Sequence, residues 1–195
     1  MNNINRYKDE LAEVIASTSK IASKVIVRLL NEFSYKRYEK GEFFAKQGEQ
    51  CNYIGYVCEG LFSMHIIKED GTEYTKTFIK PKEFLMATFK PEEESTINIQ
   101  ALQDSHIIAA KYSGFQKTVQ KYPEVQLFVK TQIETYLERV YKQMEELATL
   151  DAKARYLKFI DEHADIAKQI PQYVIASFLA ITPTQLSRIR KDLAK

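Results

Sequence analysis

Five of the six glycines, Gly41, Gly48, Gly55, Gly60 and Gly71, fall between Tyr35 and Tyr112, where they punctuate short runs rich in Tyr, Phe, Val and Ile. A stretch interrupted this often cannot continue as one helix, because glycine ends regular elements and permits tight reversals. Runs such as residues 53–58 and 62–67, separated by Glu59-Gly60 and followed by Glu69-Asp70-Gly71, predict hairpins stacked in an antiparallel, jelly-roll-like β-roll. The preceding segment is different. Residues 4–33 contain neither Gly nor Pro and carry Leu11, Val14, Ile15, Ile21, Val25, Leu29 and Leu30 among charges, the pattern of one or two amphipathic packing helices. The fold class this implies is α+β.

Near the end of the chain, Pro171 suits a helix start and Val174, Ile175, Phe178 and Leu179 recur at helical spacing. Ala180 and Ile181 make a compact turn. Thr182 is a good N-cap with Pro183 at the first helical position, opening a second helix whose Leu186, Ile189 and Leu193 are expected to face inward. The opposite face carries Thr184, Gln185, Ser187, Arg188 and Lys191, side chains able to reach base edges and phosphates. A helix-turn-helix of this kind lays its second helix in the major groove. The alternative from the pattern alone is a helical hairpin with a solvated basic face.

Between these regions, a long helix is expected from about Pro123 to Ala148. Ile133, Leu137, Val140, Met144 and Leu147 follow a 4-3-4-3 spacing on it, an a/d seam. Two heptads fit a dimerising coil and a helix packed on its own domain equally well. Asp151 then reads as the N-cap of a helix running from Ala152 toward His163, with Tyr156, Leu157 and Ile160 as its expected buried face.

The run from Ile175 to Arg190, with Ser187-Arg188 in mid-helix, resembles the C-terminal reading head of Crp/Fnr-type bacterial transcription regulators. Lys40-Gly41-Glu42-Phe43, Gln47-Gly48-Glu49, Val57-Cys58-Glu59-Gly60 and the Asp70-Gly71 hairpin resemble the sensor domain of the same family, in the expected order. The resemblance implies a cyclic-nucleotide-binding-like roll over residues 1–122, a dimerisation helix over 123–149, and a winged-helix-like DNA-binding domain over 150–195. The sequence given ends at Lys195, so any wing strands are expected before Pro171 or very short. It also implies that Arg188 matches the arginine that reads guanine, with Gln185 at bases, Arg190 or Lys191 on phosphate, and Thr182 and Thr184 at the helix start. The best-known members carry Glu where Thr184 stands, so their target sequence does not transfer. Pairing through the long helix follows from the family, as do duplex DNA, an unidentified small-molecule effector and RNA polymerase as candidate partners.

The chain departs from the family at its phosphate cassette. A cyclic-nucleotide binder needs backbone amides and an arginine for the cyclic phosphate. Here Phe84-Leu85-Met86-Ala87 is followed by Pro91 and the three carboxylates Glu92, Glu93 and Glu94, with no arginine. The roll is therefore expected not to bind a cyclic nucleotide tightly. No cofactor is expected.

Composition narrows the remaining classes. Net charge is +2, but residues 150–195 hold eight Lys/Arg against five Asp/Glu, so the basic excess is C-terminal, where phosphates would lie. No apolar run approaches the roughly 20 residues that span a bilayer, and the first residues lack the apolar core of a signal peptide, which places the protein in the cytoplasm. Cys51 and Cys58 cannot supply the four thiolates of an iron–sulfur cluster; a redox pair is the alternative to buried or incidental thiols, and the lack of a Cys-x-x-Cys favours the latter. His65, His106 and His163 lack metal-ligand spacing, although folding could gather the first two. Neither a metal site nor an enzyme is expected. The competing readings are a sensor or protein-interaction module with a degenerate DNA-reading head and, more remotely, a metal-dependent β-roll enzyme.

Overall fold

The computed structural model describes residues 3–194. Met1, Asn2 and Lys195, at the outer limits of the expected domains, lie outside the described residues.

Helices α1 (Asn3–Thr18) and α2 (Ser23–Asn31) precede eight strands: β1 (Ser34–Tyr38), β2 (Phe43–Ala45), β3 (Tyr53–Glu59), β4 (Phe62–Ile67), β5 (Glu73–Ile79), β6 (Phe84–Leu85), β7 (Asn98–Ala101) and β8 (Ser105–Lys111). These form two four-stranded antiparallel sheets, ordered β1-β8-β3-β6 and β2-β7-β4-β5. The expected roll is present. Its interior is filled by Phe44, Val57, Phe62, Met64, Leu85, Ile97, Ile99 and Ile107. The β3–β4 reversal turns on Gly60 at φ +104°, a conformation that disfavours a side chain.

A second apolar cluster joins α1 and α2 to the outer face of the first sheet. Tyr7, Leu11, Ile15, Val25 and Leu29 pack there against Ile54, Tyr56 and Ile108. Its far side is closed by Phe115 of α3 (Tyr112–Lys121) and by Val125 and Phe128 of α4 (Pro123–Thr149). Only the first turns of α4 are buried this way; further along, the helix runs past the β4–β5 sheet, where the Tyr136 hydroxyl meets Met64 Sδ at 3.8 Å.

Three more helices complete the described chain: α5 (Ala152–Glu162), α6 (Gln172–Phe178) and α7 (Pro183–Leu193). Asp151 caps α5 as expected, its Oδ1 accepting from Ala154 N–H at 2.8 Å. The buried face of α5 differs from expectation. Phe159 is buried and Tyr156 half-buried, whereas Leu157 and Ile160 are exposed, because α5 turns its Phe159 and His163 toward the roll. Residues 163–170, the space left for a wing, form turns, and no strand occurs among the described residues beyond Leu150.

Candidate nucleic-acid interface

The connection between α6 and α7 is held by its own backbone. Ala180 adopts φ +52°, with Ile181 N–H donating to Ala176 O at 3.0 Å and Ala180 N–H to Ser177 O at 3.2 Å, the paired bonds of a Schellman ending. Glycine normally occupies that left-handed position, so alanine there is strained. Ala180→Gly should raise the unfolding free energy by about 0.5–1 kcal/mol, less than the full relief because glycine is also freer when unfolded. Urea denaturation followed by circular dichroism measures it; a destabilised variant would contradict the strain.

The next helix begins in a capping box. Thr182 Oγ1 accepts from Gln185 N–H at 3.2 Å, and Gln185 Oε1 accepts from Thr182 N–H at 2.9 Å. Leu186 anchors α7, only 1% exposed, and Ile189 is half-buried. Leu193 does not face inward as expected but is 40% exposed, since it lies on the last turn, beyond the reach of α6. Thr182, Thr184, Gln185, Ser187, Arg188, Arg190 and Lys191 are all exposed. Helical spacing puts Thr184, Ser187, Arg188 and Lys191 on one face, with Arg190 about 120° round from Thr184. The Gln185 amide oxygen is occupied by the cap, which leaves its Nε2 as the group free to meet a base.

Sequence reasoning did not foresee how closely this head is docked on the roll. Ser177 Oγ accepts from Thr75 N–H at 2.8 Å and donates to Glu73 O at 2.8 Å, tying α6 to the edge strand β5. Beneath this, Phe78 of β5 lies 5.2 Å from Phe178 and 6.1 Å from Phe159, ring centre to ring centre, and Phe159 lies 5.0 Å from His163. One apolar cluster runs from Leu61, Phe78 and Leu102 of the roll into Ile170, Val174, Ile175 and Leu186 of the head. Lys80 Nζ meets Asp165 Oδ1 at 3.0 Å at its rim, an exposed pair worth little by itself but enough to hold the carboxyl below its ordinary pKa. Burial, and then the nearby Lys80 ammonium, push the His163 imidazole below its usual range, so it is neutral at pH 7. Phe159 of α5 and its C-cap His163 stand four apart, and both rings meet Phe78.

The other candidates separate. His106 belongs to β8, its Nδ1 2.6 Å from the Tyr35 hydroxyl, while His65 lies buried on β4 in the other sheet; folding does not gather them. No group of three or more His, Cys, Asp or Glu suited to a metal ion occurs among the described residues. Cys51 points into the roll interior and Cys58 into the cluster beneath α1 and α2. Burial raises both thiols, Cys58 to about 12, so neither is a reactive thiolate. Glu92, Glu93 and Glu94 are exposed on the loop before β7, and Leu85 and Ile97 are buried in the roll interior.

Residues 35–122 match the family model of the cyclic nucleotide-binding domain. The roll is similar to that domain. Across the longer chain, solved structures share the fold. FixK2 from Bradyrhizobium japonicum superposes with a TM-score of 0.74 at 19% identity, over 83% of this chain and 84% of that one. The c-di-GMP-responsive global regulator CLP of Xanthomonas campestris gives 0.75 at 16% identity, over 89% and 92%. A transcriptional regulator assigned to the Crp/Fnr family in Eubacterium rectale gives 0.74 at 14%, over 89% and 84%. These structures share the fold of this chain, a roll similar to the cyclic nucleotide-binding domain followed by a long helix and a helical head. A search of curated protein sequences finds no significant match. None of the described helices is long and apolar enough to cross a membrane.

Proposed function

We propose that this protein is a homodimeric, sequence-specific DNA-binding transcription regulator, without enzymatic activity and working in the cytoplasm, whose roll does not answer to cyclic AMP. The observation that carries the reading is α7: a capped helix anchored by Leu186 that presents Thr184, Ser187, Arg188 and Lys191 together to solvent. Arg188 is assigned to a base, Arg190 or Lys191 to phosphate, and Gln185 to a base through its Nε2. Residues 1–122, 123–149 and 150–195 act as sensor, pairing helix and reader, and RNA polymerase is the candidate partner at a promoter.

Pairing is assigned to α4. Leu137 and Met144 are 43% and 61% exposed, Tyr141 beside them is 67% exposed, and Ile133, Val140 and Leu147 are half-buried along the same seam. A second copy laid along this face would cover it and set two reading helices at half-sites about 34 Å apart, one turn of B-DNA. The apolar packing of the roll and the absence of an arginine in the cassette support the statement about cyclic AMP.

The test begins with selection of bound duplexes from a random pool at stated salt, where an enriched inverted repeat is expected. On that repeat, Arg188→Ala should cost about 1–3 kcal/mol and relax preference at one position per half-site, whereas Lys191→Ala should weaken all sequences alike and flatten the salt dependence. Equal losses on every sequence for both variants would overturn this division. Recovery of no preferred sequence would favour the module with a degenerate head.

A further inference from the structure

We propose that Gln185 selects guanine in the major groove and turns away adenine, the base a glutamine ordinarily reads, because its amide is left able only to donate. The proposal rests on α7 reading a duplex, and it names the base edge that one of its side chains accepts.

A glutamine recognises adenine with both halves of its amide, the oxygen accepting from the N6 amine while Nε2 donates to N7. In Gln185 the oxygen is already used. Oε1 accepts from Thr182 N–H at 2.9 Å and from the Thr182 hydroxyl at 3.2 Å, and an amide oxygen has two lone pairs. The orientation of the amide is set by these neighbours. Thr182 N–H can only donate, and Thr182 Oγ1 accepts from Gln185 N–H at 3.2 Å, which leaves its own hydrogen to point at Oε1. An amide turned the other way would set N–H against N–H.

The exposed side chain therefore offers a base the two hydrogens of Nε2. Guanine presents two adjacent acceptors, N7 and O6, and meets both. Thymine presents O4 alone. Adenine places its N6 amine beside N7, and cytosine shows only the N4 amine, so each sets a donor against a donor. Releasing Oε1 to read adenine would strip the first N–H groups of α7 of their partner, and that loss offsets the bond gained.

Selection from a random duplex pool with the full chain supplies the starting repeat, and a second selection with Gln185→Glu tests the proposal. The variant keeps one carboxylate oxygen for the cap and turns the other into an acceptor. One position per half-site is expected to move from guanine to cytosine or adenine, the bases that carry an exocyclic amine, while the position relaxed by Arg188→Ala keeps its preference. Fluorescence anisotropy at fixed salt, on four duplexes differing at that pair, should show the unsubstituted protein favouring guanine over adenine by about tenfold and the variant reversing the order. An unchanged thermal midpoint for Gln185→Glu separates altered reading from lost folding. Two results would overturn the proposal while leaving α7 a reader: adenine preferred by the unsubstituted protein at the position that Gln185→Glu changes, or a repeat that Gln185→Glu leaves unaltered everywhere. Recovery of no repeat from the first selection removes the reading and the proposal together.

Discussion

Leu137→Glu combined with Met144→Glu is expected to convert the proposed dimer to a monomer, weakening self-association by at least about 10⁴-fold, without unfolding the chain. Both side chains are already well exposed in the single chain, so the substitutions remove little of its own packing. In the proposed pair they stand at seam positions, and each would place a carboxylate against its symmetry mate. Four buried, unpaired charges per dimer at several kcal/mol each exceed what a two-heptad seam can return. Sedimentation equilibrium measures the association, and circular dichroism checks that α4 remains folded. DNA binding should fall with dimerisation, because a lone head loses the high effective concentration that its tethered partner provides at the second half-site. A dimer that survives both substitutions would place the pairing surface elsewhere.

The features legible in the sequence are those set by local chemistry. Gly60 and Gly71 mark reversals because both adopt positive φ, and Thr182-Pro183 followed by Gln185 forms the cap it resembles. Asp151 likewise caps the helix assigned to it. Side chains whose burial depends on distant elements were harder to place. Tyr156, Leu157 and Ile160 share a helical face by spacing, yet Phe159 is the residue that β5 covers, since the roll approaches α5 from one side only. Leu193 continues the apolar pattern of α7 but extends past anything able to bury it.

The exposed face of α7 shows the same division. Exposure of Arg188 and Lys191 follows from helix periodicity around Leu186, and the structure agrees. The docking of α6 on β5 does not follow from any motif. It depends on Ser177 finding the backbone of Glu73 and Thr75, about a hundred residues earlier in the chain, and on three phenylalanines from separate elements meeting. Ser177 occupies an ordinary position in a helical run, and its sequence neighbours give no sign of a partner in a hairpin so far away.

Gly60 offers the sharpest test of how the roll is closed. Gly60→Ala should destabilise the protein by about 3–5 kcal/mol, a large part of the stability of an ordinary domain. Two costs combine. At φ +104° any side chain is strained, and a Cβ built there would lie 2.5 Å from Ser105 Cβ and 2.7 Å from Ser105 Cα. The second contact is with backbone, so rotating the serine hydroxyl away cannot relieve it. Ser105 is fully buried at the start of β8, and its Oγ accepts from Leu61 N–H at 3.2 Å, so moving either strand end disrupts the β3–β4 reversal. Gly71→Ala is the matched control: its φ is +80°, but nothing lies within 4 Å of the added carbon. It should cost only the strain, about 1–2 kcal/mol. Urea unfolding of the two variants separates backbone strain from crowding, and equal losses would mean that the close approach of Gly60 to Ser105 contributes nothing. Adding Ser105→Ala to the Gly60 variant should restore little, because the methyl carbon and Cα remain in place.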